Sequence, residues 1–531
     1  MRETTLISMS TVTPYDEILY PGYPFPQTHP DRLAVLATLF GMKAASVESC
    51  RVLELGCGDG ANLIPMALTL PDSKFVGIDL AARPIKKGVA VVEALGLPNI
   101  DLRAQNLLDV TGDLGQFDYI IAHGVYSWVP PVVQNKLLQI CKMNLAAQGV
   151  AYVSYNAYPG GHLRQMLREM MLFHIRGADN PQEKIEQARA LVSFLREAQP
   201  KTDEYAMFLK RELELTLART DGGMYHDDLA SINAPVYFYQ FIEHAAACGL
   251  QYLAEADPLE LGSRDVFPLA DEMFRQSGIG LLGQEQYLDF LKCRRFRQTL
   301  LCRDDVVLQR PAVAAATRHF YLASSARPLS TEPNIASSAT IEKFQAASGV
   351  VMSASDPLVK AALVCLSEIW PQAICYDDLV RDAWRRLGEA PDQHDEADQE
   401  KGRLCEMLLA GFESEVVDLH LHQPRFVLVP SERPVVSDLA RLQAHEGHLL
   451  TTARHTIVDV NDDLARQLIM LLDGTRDRHS LVADLIAAMA SQPVDATHLG
   501  PQGTPQPRSE ISLENLEKKL AELASLCLLI A

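Results

Sequence analysis

The segment Arg51-Val-Leu-Glu-Leu-Gly-Cys-Gly-Asp-Gly60, followed by Phe75-Val-Gly-Ile-Asp79, constrains the fold more than any other part of the chain. It reads as a buried strand, a glycine-rich turn that opens a helix, and a second strand ending in an acid. Gly56, Gly58 and Gly60 let the backbone turn tightly and approach a ligand closely. Asp79 follows about twenty residues on, where an acid meets a ribose hydroxyl pair in a nucleotide-type crevice. The spacing is Gly-x-Gly-x-Gly with Glu54 just before it, not the Gly-x-Gly-x-x-Gly that cradles a pyrophosphate. An acid at the strand tip suits a ligand bearing an ammonium and a sulfonium better than a diphosphate.

From residue 30 to 160, helix and strand patterns alternate. Strands are expected at Arg51–Leu55, Lys74–Asp79, Ile100–Ala104, Phe117–His123 and Gly149–Asn156. Helices are expected at Pro30–Met42, Ala61–Thr69, Pro84–Leu95 and Val132–Met143. Such alternation predicts a parallel sheet with helical crossovers. The stretches Glu183–Gln199 and Asp203–Thr220 then read as charged helices, and two more strand patterns come late, at Leu250–Ala256 and Arg295–Cys302. The expected fold is therefore α/β, a Rossmann-like sheet interrupted by a helical insert. The expected units are 1–162 and 236–304 for the sheet, 163–235 for the insert, 305–430 for a middle domain and 431–531 for a C-terminal domain. The middle domain begins with Ala323–Thr340, a Ser-, Ala-, Pro- and Thr-rich stretch that reads as a linker. Helices Asp356–Trp370 and Ile374–Leu387, an acidic loop Glu389–Glu400 and a hairpin around Gln423-Pro424 follow in winged-helix-like order. A strand His448–Val460 and helices Leu464–Leu472, Ser480–Met489 and Leu513–Ile530 repeat that order, with a polar break at Ser491–Ser509 and a helix cap at Gly474.

At 531 residues the chain exceeds one core. A net charge of −20 disfavours a phosphate-backbone partner and favours a basic one, such as an amine or a lysine-bearing protein. The 10 cysteines are scattered without a Cys-x-x-Cys pair, as in reduced cytoplasmic proteins. No apolar signal region opens the sequence at Met1–Ser8, and no apolar run is long enough for membrane insertion.

The motif pair resembles that of the class I S-adenosylmethionine-dependent methyltransferases. That resemblance implies S-adenosylmethionine as cofactor and S-adenosylhomocysteine as product. Gly56, Cys57 and Gly58 would pass under the methionine part, Glu54 would stand near its ammonium, and Asp79 and Leu80 would take the ribose and adenine. Asn106 and Leu107 stand where the family sets a polar side chain and an amide against the adenine edge, many relatives having Asp there. Asn62 starts the next helix, where its side chain can cap free backbone donors.

Methyl transfer is an in-line displacement, so the site must hold two partners collinear and dry. His123-Gly-Val-Tyr-Ser-Trp-Val-Pro130 leaves the fourth strand at the crevice. Gly124 would let the chain pass close to the sulfonium beside His123, and Tyr126 and Trp128 would form an aromatic wall for an amine. Tyr155 and Asn156, at the end of the fifth strand, would face the donor from the opposite side. Tyr126 and Trp128 read equally well as core packing, and the segment that carries Tyr155 and Asn156 equally well as a Pro-Gly-Gly turn leading into a helix. Tyr20-Pro-Gly-Tyr-Pro-Phe-Pro-Gln-Thr-His29 reads as a lid, with Tyr20 over the cofactor, or equally as a segment whose aromatics pack on protein. His420 with His422, and His445 with His448, have ligand-like spacing, but no Cys or acid completes a set, so no metal is expected.

Several further motifs extend the resemblance to bacterial methyltransferases that carry a methyltransferase regulatory domain. They are the lid, the His123 cluster, Tyr155-Asn-Ala-Tyr-Pro-Gly, Tyr225-His-Asp-Asp-Leu, Gln251-Tyr-Leu-Ala-Glu-Ala256 and Asp473-Gly-Thr-Arg-Asp. That subfamily includes non-SET protein-lysine methyltransferases. The resemblance implies a protein substrate, a homodimer through the helical insert and a C-terminal winged helix. Three readings stay open: a protein-lysine methyltransferase, a small-molecule or peptide natural-product methyltransferase, and a cofactor-sensing regulator that binds nucleic acid. Arg433, Arg441, Arg454, Arg466, Arg476 and Arg478 are the cluster that the third reading needs.

Overall fold

The computed structural model describes residues 13–198, 204–261, 267–388, 397–490 and 511–531. Seven strands form one sheet: β1 (Arg51–Leu55), β2 (Lys74–Asp79), β3 (Ile100–Ala104), β4 (Phe117–Ala122), β5 (Leu145–Asn156), β6 (Leu250–Glu255) and β7 (Phe296–Arg303). Their order is β3-β2-β1-β4-β5-β7-β6. Strands β1 to β5 pair in parallel, and β7 runs antiparallel to both its neighbours. The strand order reverses between β1 and β4, and ligands of open parallel sheets bind beyond the strand ends at such a reversal. Helices Pro30–Leu39, Leu63–Thr69 and Ala82–Leu95 cover one face, and Pro131–Asn144 and Phe238–Ala247 cover the other. Coverage on both faces explains why Val52, Leu53 and Leu55 of β1 are all apolar and buried.

The helical interruption follows β5. Helices Gly161–His174, Pro181–Ala198 and Glu204–Leu217 pack through Leu167, Met171, Ile185, Val192, Leu209 and Leu213. The predicted helix ends at Gln199 and Asp203 lie outside the described residues, as does the segment Met1–Ser8. On return, β7 carries Arg297, fully buried and held by Glu255 at 2.6 Å, Glu285 at 3.2 Å and Asp289 at 2.8 Å. Breaking such a buried pair costs about 3–5 kcal/mol, so β6, β7 and helix Leu281–Lys292 move as one piece. This fixes Phe296 and Gln298, the neighbours of Arg297, for the site.

The middle unit shares its hydrophobic core with the first face of the sheet. The stretch Ala323–Thr340, predicted as a linker, is in fact tied down. Lys360, buried on helix Pro357–Ile369, donates from Nζ to the carbonyls of Asn334 and Ser337 at 2.8 Å and of Thr340 at 3.1 Å. The anchor sits on a later helix, so local composition could not show it. The predicted hairpin around Gln423-Pro424 is replaced by other pairings. Asp418–His420 pairs with Tyr321–Ala323, and the Val427 N–H donates to the Leu529 carbonyl at 3.0 Å. Ile374 and Cys375, predicted as helix, form a short strand before helix Tyr376–Leu387. Of the predicted acidic loop, residues 389–396 lie outside the described residues.

In the C-terminal unit the predicted strand His448–Val460 is a hairpin, Leu449–Thr451 with Ile457–Asp459. It packs with helices Asp438–Glu446, Asp463–Leu471, Arg478–Ala490 and Leu513–Ser525. The polar break at Ser491–Ser509 lies outside the described residues. Among the described residues no helix is long and apolar enough to cross a membrane.

Candidate functional site

The glycine turn hooks over β2, with the N–H groups of Gly56 and Cys57 donating to the Ile78 carbonyl at 2.7 and 3.2 Å. Gly56 has φ +76°, and a Cβ there would lie 2.4 Å from Val125 Cγ2. The turn and the loop after β4 are therefore in contact, and only glycine allows it. Gly58 and Gly124, also at positive φ, have no atom within 4 Å of where a Cβ would stand, so two bare stretches of backbone face open space. Asp79 accepts from the Gly58 N–H at 2.9 Å and the Ala81 N–H at 2.8 Å, and burial raises its pKa. Leu80 is half exposed beside it. Asn106 accepts from the Leu108 N–H at 3.0 Å and so caps the short turn that holds buried Leu107.

Glu54 is buried at the end of β1, and burial raises its pKa to about 8. Its Oε1 accepts from Asn62 Nδ2 at 2.8 Å, while its equally buried Oε2 has no hydrogen-bond partner. Asn62 does not play the helix-capping role expected of it. Asn62 has helical φ and ψ and caps nothing. Its Oδ1 instead accepts from the Phe25 N–H at 2.9 Å, and its Nδ2 also donates to Thr28 Oγ1 at 3.0 Å.

Those bonds fasten the predicted lid. The strap from Thr13 to His29 crosses the crevice, with Asp16 accepting from the Arg83 N–H at 2.9 Å. Its far side is held by a π-helical turn, Met224–Asp228. There Tyr15 stacks on His226 at 4.1 Å, Tyr20 OH reaches Asp227 at 3.4 Å, and Tyr225 OH reaches Glu17 at 3.0 Å. Burial raises the pKa of Tyr15, and the charges of Asp227 and Asp79 add to it. Tyr15 and Tyr20 thus both meet the π-helical turn, and Tyr15 also feels the charge of Asp79.

The acceptor side differs from expectation. Tyr155 and Tyr126 are buried in the core on the opposite face of the sheet. Tyr155 stacks on Phe241 at 4.1 Å and reaches Thr299 at 3.2 Å, and Tyr126 bonds His244 at 2.9 Å. Side chains alternate along β5, so the residues that meet His123 are Tyr152 and Ser154. Tyr152 OH donates to Gln298 Oε1 at 2.8 Å and contacts His123 Nδ1 at 2.9 Å. A phenol has one proton, so it accepts from His123 Nδ1–H, and the imidazole lone pair is left on Nε2. Burial lowers the His123 pKa to about 4, which keeps the ring neutral. Ser154 Oγ accepts from the Gly124 N–H at 2.8 Å. Phe25 lies 4.0 Å from the His123 ring and Phe296 approaches it edge-on at 6.1 Å. Asn156 donates to Asn233 at 2.9 Å, and Trp128 is half-buried in the turn Tyr126–Trp128. Alternation along β5 separates Tyr152 and Ser154 from Tyr155, but only the pairing of β4 with β5 decides which set meets His123.

The paired histidines have structural partners. His420 Nδ1 meets Asp31 at 2.7 Å, the N–H groups of Leu421 and His422 donate to the same carboxylate, and His448 meets Asp459 at 2.6 Å.

Residues 53–151 match the family described as "Methyltransferase domain", 220–303 match "Predicted methyltransferase regulatory domain" and 432–528 match "PKMT, C-terminal winged helix domain". The uncharacterized protein RP789 of Rickettsia prowazekii is 31% identical over 97% of this chain and 91% of its own length. RP028 of the same organism is 36% identical over 45% of this chain and 96% of its own length. The structure of PKMT2 from Rickettsia typhi in complex with AdoHcy superposes with a TM-score of 0.83 at 28% identity, over 96% of this chain and all of that one. The residues present fit such a cofactor. A buried carboxylate oxygen of Glu54 without a partner suits an ammonium, Asp79 closes the β2 tip, and bare backbone at Gly58 and Gly124 leaves room between them. The chain belongs to the S-adenosylmethionine-dependent methyltransferases that carry a methyltransferase regulatory domain and a C-terminal winged helix, and S-adenosylmethionine is its cofactor.

Proposed function

We propose that this enzyme methylates the side-chain amine of lysine in a protein substrate. The observation that carries the reading is the likeness to PKMT2 along the whole chain, C-terminal half included, PKMT being read as protein-lysine methyltransferase. Two accessory units are more than a small acceptor requires, whereas they suit a polypeptide.

When bound, S-adenosylmethionine supplies an electrophilic methyl on a sulfonium and leaves as a neutral thioether. Lysine has a solution pKa near 10.4, so the site must favour its neutral form. Phe25, Phe296 and the uncharged His123 ring form a corner that desolvates an amine, which lowers its pKa. His123 Nε2 then accepts an N–H of the amine and turns the nitrogen lone pair toward the donor. Tyr152 holds the ring in that tautomer. Phe296 is partly exposed, so this corner opens to solvent, where the proton released on methylation can leave.

A groove of about 740 Å³ lies between strap and C-terminal unit and has room for an extended chain; two of the acids on its edge, Asp59 and Asp221, are already paired with Lys87 and Arg189. The nucleic-acid reading loses support from the C-terminal arginines. Arg441, Arg454, Arg466, Arg476 and Arg478 are each paired with a carboxylate, and Arg433 with a carbonyl. Exposed Phe173, Phe194 and Met207, one on each helix of the insert, support a homodimer through the insert, to be measured by light scattering. Ten unpaired cysteines support a cytoplasmic location.

The test is methyl transfer from radiolabelled S-adenosylmethionine to host-lysate proteins, before and after chemical acetylation of their lysines, with Asp79→Ala as control. Transfer that acetylation abolishes is the expected result. Transfer that survives acetylation, or label only in small molecules, overturns the reading.

A further inference from the structure

We propose that His455, carried by the C-terminal unit, is a positioning residue of the cofactor site, acting on Glu54 through Asn62. The inference rests on the reading that Glu54 receives the cofactor's ammonium.

His455 lies in the turn of the hairpin Leu449–Thr451/Ile457–Asp459 and is buried. Its Nε2 stands 3.0 Å from Asn62 Oδ1. Asn62 Nδ2 donates to Glu54 Oε1 at 2.8 Å, so three residues connect the far end of the chain to the carboxylate. The amide orientation follows from the partners. Oδ1 accepts from the Phe25 N–H, and Nδ2 donates to a carboxylate and a hydroxyl, so His455 must be the donor. The bare carboxylate oxygen, Oε2, then points where Asn62 leaves it.

The turn is built to deliver this ring. His455 has φ +57°, an unusual conformation for a residue with a side chain, of a kind that persists where the surroundings enforce it. The His455 N–H donates to the Thr452 carbonyl at 3.1 Å, and the Thr452 N–H to the Thr456 carbonyl at 2.8 Å. Next to it, Arg454 reaches Asp418 at 2.9 Å and lies 4.4 Å over the Trp370 ring, which moors the turn to the middle unit. Thus the C-terminal unit completes the cofactor site rather than merely hanging beside it.

The full-length protein is titrated with S-adenosylhomocysteine, which keeps the ammonium, by calorimetry. His455→Ala is expected to weaken binding about tenfold, roughly one hydrogen bond. His455→Gln, which can still donate, should recover most of the loss. Arg454→Gln, which loosens the mooring of the same turn but leaves the His455 donor in place, should weaken binding clearly less than His455→Ala does. Glu54→Gln separates the two readings. In the Glu54→Gln background His455→Ala should cost little more, because the two act in series. If Glu54→Gln weakens binding and His455→Ala does not, the positioning role is wrong and the Glu54 reading stands. If Glu54→Gln leaves binding unchanged, both fail. If Arg454→Gln and His455→Gln weaken it as much as His455→Ala, the effect is hairpin stability and the proposal is overturned.

Discussion

Replacing Glu54 with Gln should weaken cofactor binding and at the same time stabilise the free protein at alkaline pH. The structure gives both signs. In the free protein Glu54 Oε2 is buried without a partner, and burial raises the carboxyl from its ordinary value of 4.5 to about 8. Between those values the folded protein holds a proton that the unfolded chain has released, so stability falls as pH rises through that window. Gln keeps an oxygen for Asn62 Nδ2 and removes the titration, so the variant should lose that decline. The bound ammonium reverses the balance, because a cation beside Oε2 favours the carboxylate. Binding near neutral pH should therefore release a proton, and that release should vanish in the variant. A charge-assisted hydrogen bond is worth about 1.5–3 kcal/mol, so the dissociation constant should rise about tenfold to a hundredfold. Calorimetry in buffers of different ionisation enthalpy reads affinity and proton release together, and urea unfolding from pH 5 to 9 reads stability. Unchanged affinity with unchanged proton release would refute the assignment of Glu54 to the ammonium.

Tyr152→Phe removes the bond that fixes the His123 ring, so kcat should fall about tenfold to a hundredfold while cofactor affinity is kept; steady-state methylation kinetics check it. Gly56→Ala should destabilise by about 2–4 kcal/mol in urea unfolding, because positive φ and the clash with Val125 add. Gly58→Ala meets no protein atom, so it should cost only about 1 kcal/mol of stability yet impair binding of S-adenosylhomocysteine. Lys360→Met strands three carbonyls and should cost about 3–5 kcal/mol, with the cofactor's dissociation constant unaffected in whatever remains folded.

The elements that frame the cofactor half were legible because they are local. Strands Arg51–Leu55, Lys74–Asp79 and Ile100–Ala104 have the bounds read from apolar runs, and the glycine turn announces itself by residue type. The late return of β6 and β7 was also legible, since two strand patterns stood unused after the helical insert. The acceptor half was not, because it depends on which face of β5 a residue takes. Tyr155 and Tyr152 are both tyrosines on one strand, and only pairing with His123 across the sheet decides between them. Contacts over hundreds of residues, such as His455 with Asn62 and His420 with Asp31, leave no local signal at all. The linker misreading has the same origin, since one buried lysine elsewhere holds that stretch in place.

The most direct test of the central claim is the chemical identity of the methylated residue. Protein labelled by the purified enzyme from S-adenosylmethionine is hydrolysed completely, and the labelled amino acid is identified by chromatography and mass spectrometry. The account predicts methylated lysine, with the yield sharply reduced in Tyr152→Phe and in Asp79→Ala. Label on arginine, glutamate or a chain terminus, with lysine bare, would contradict it.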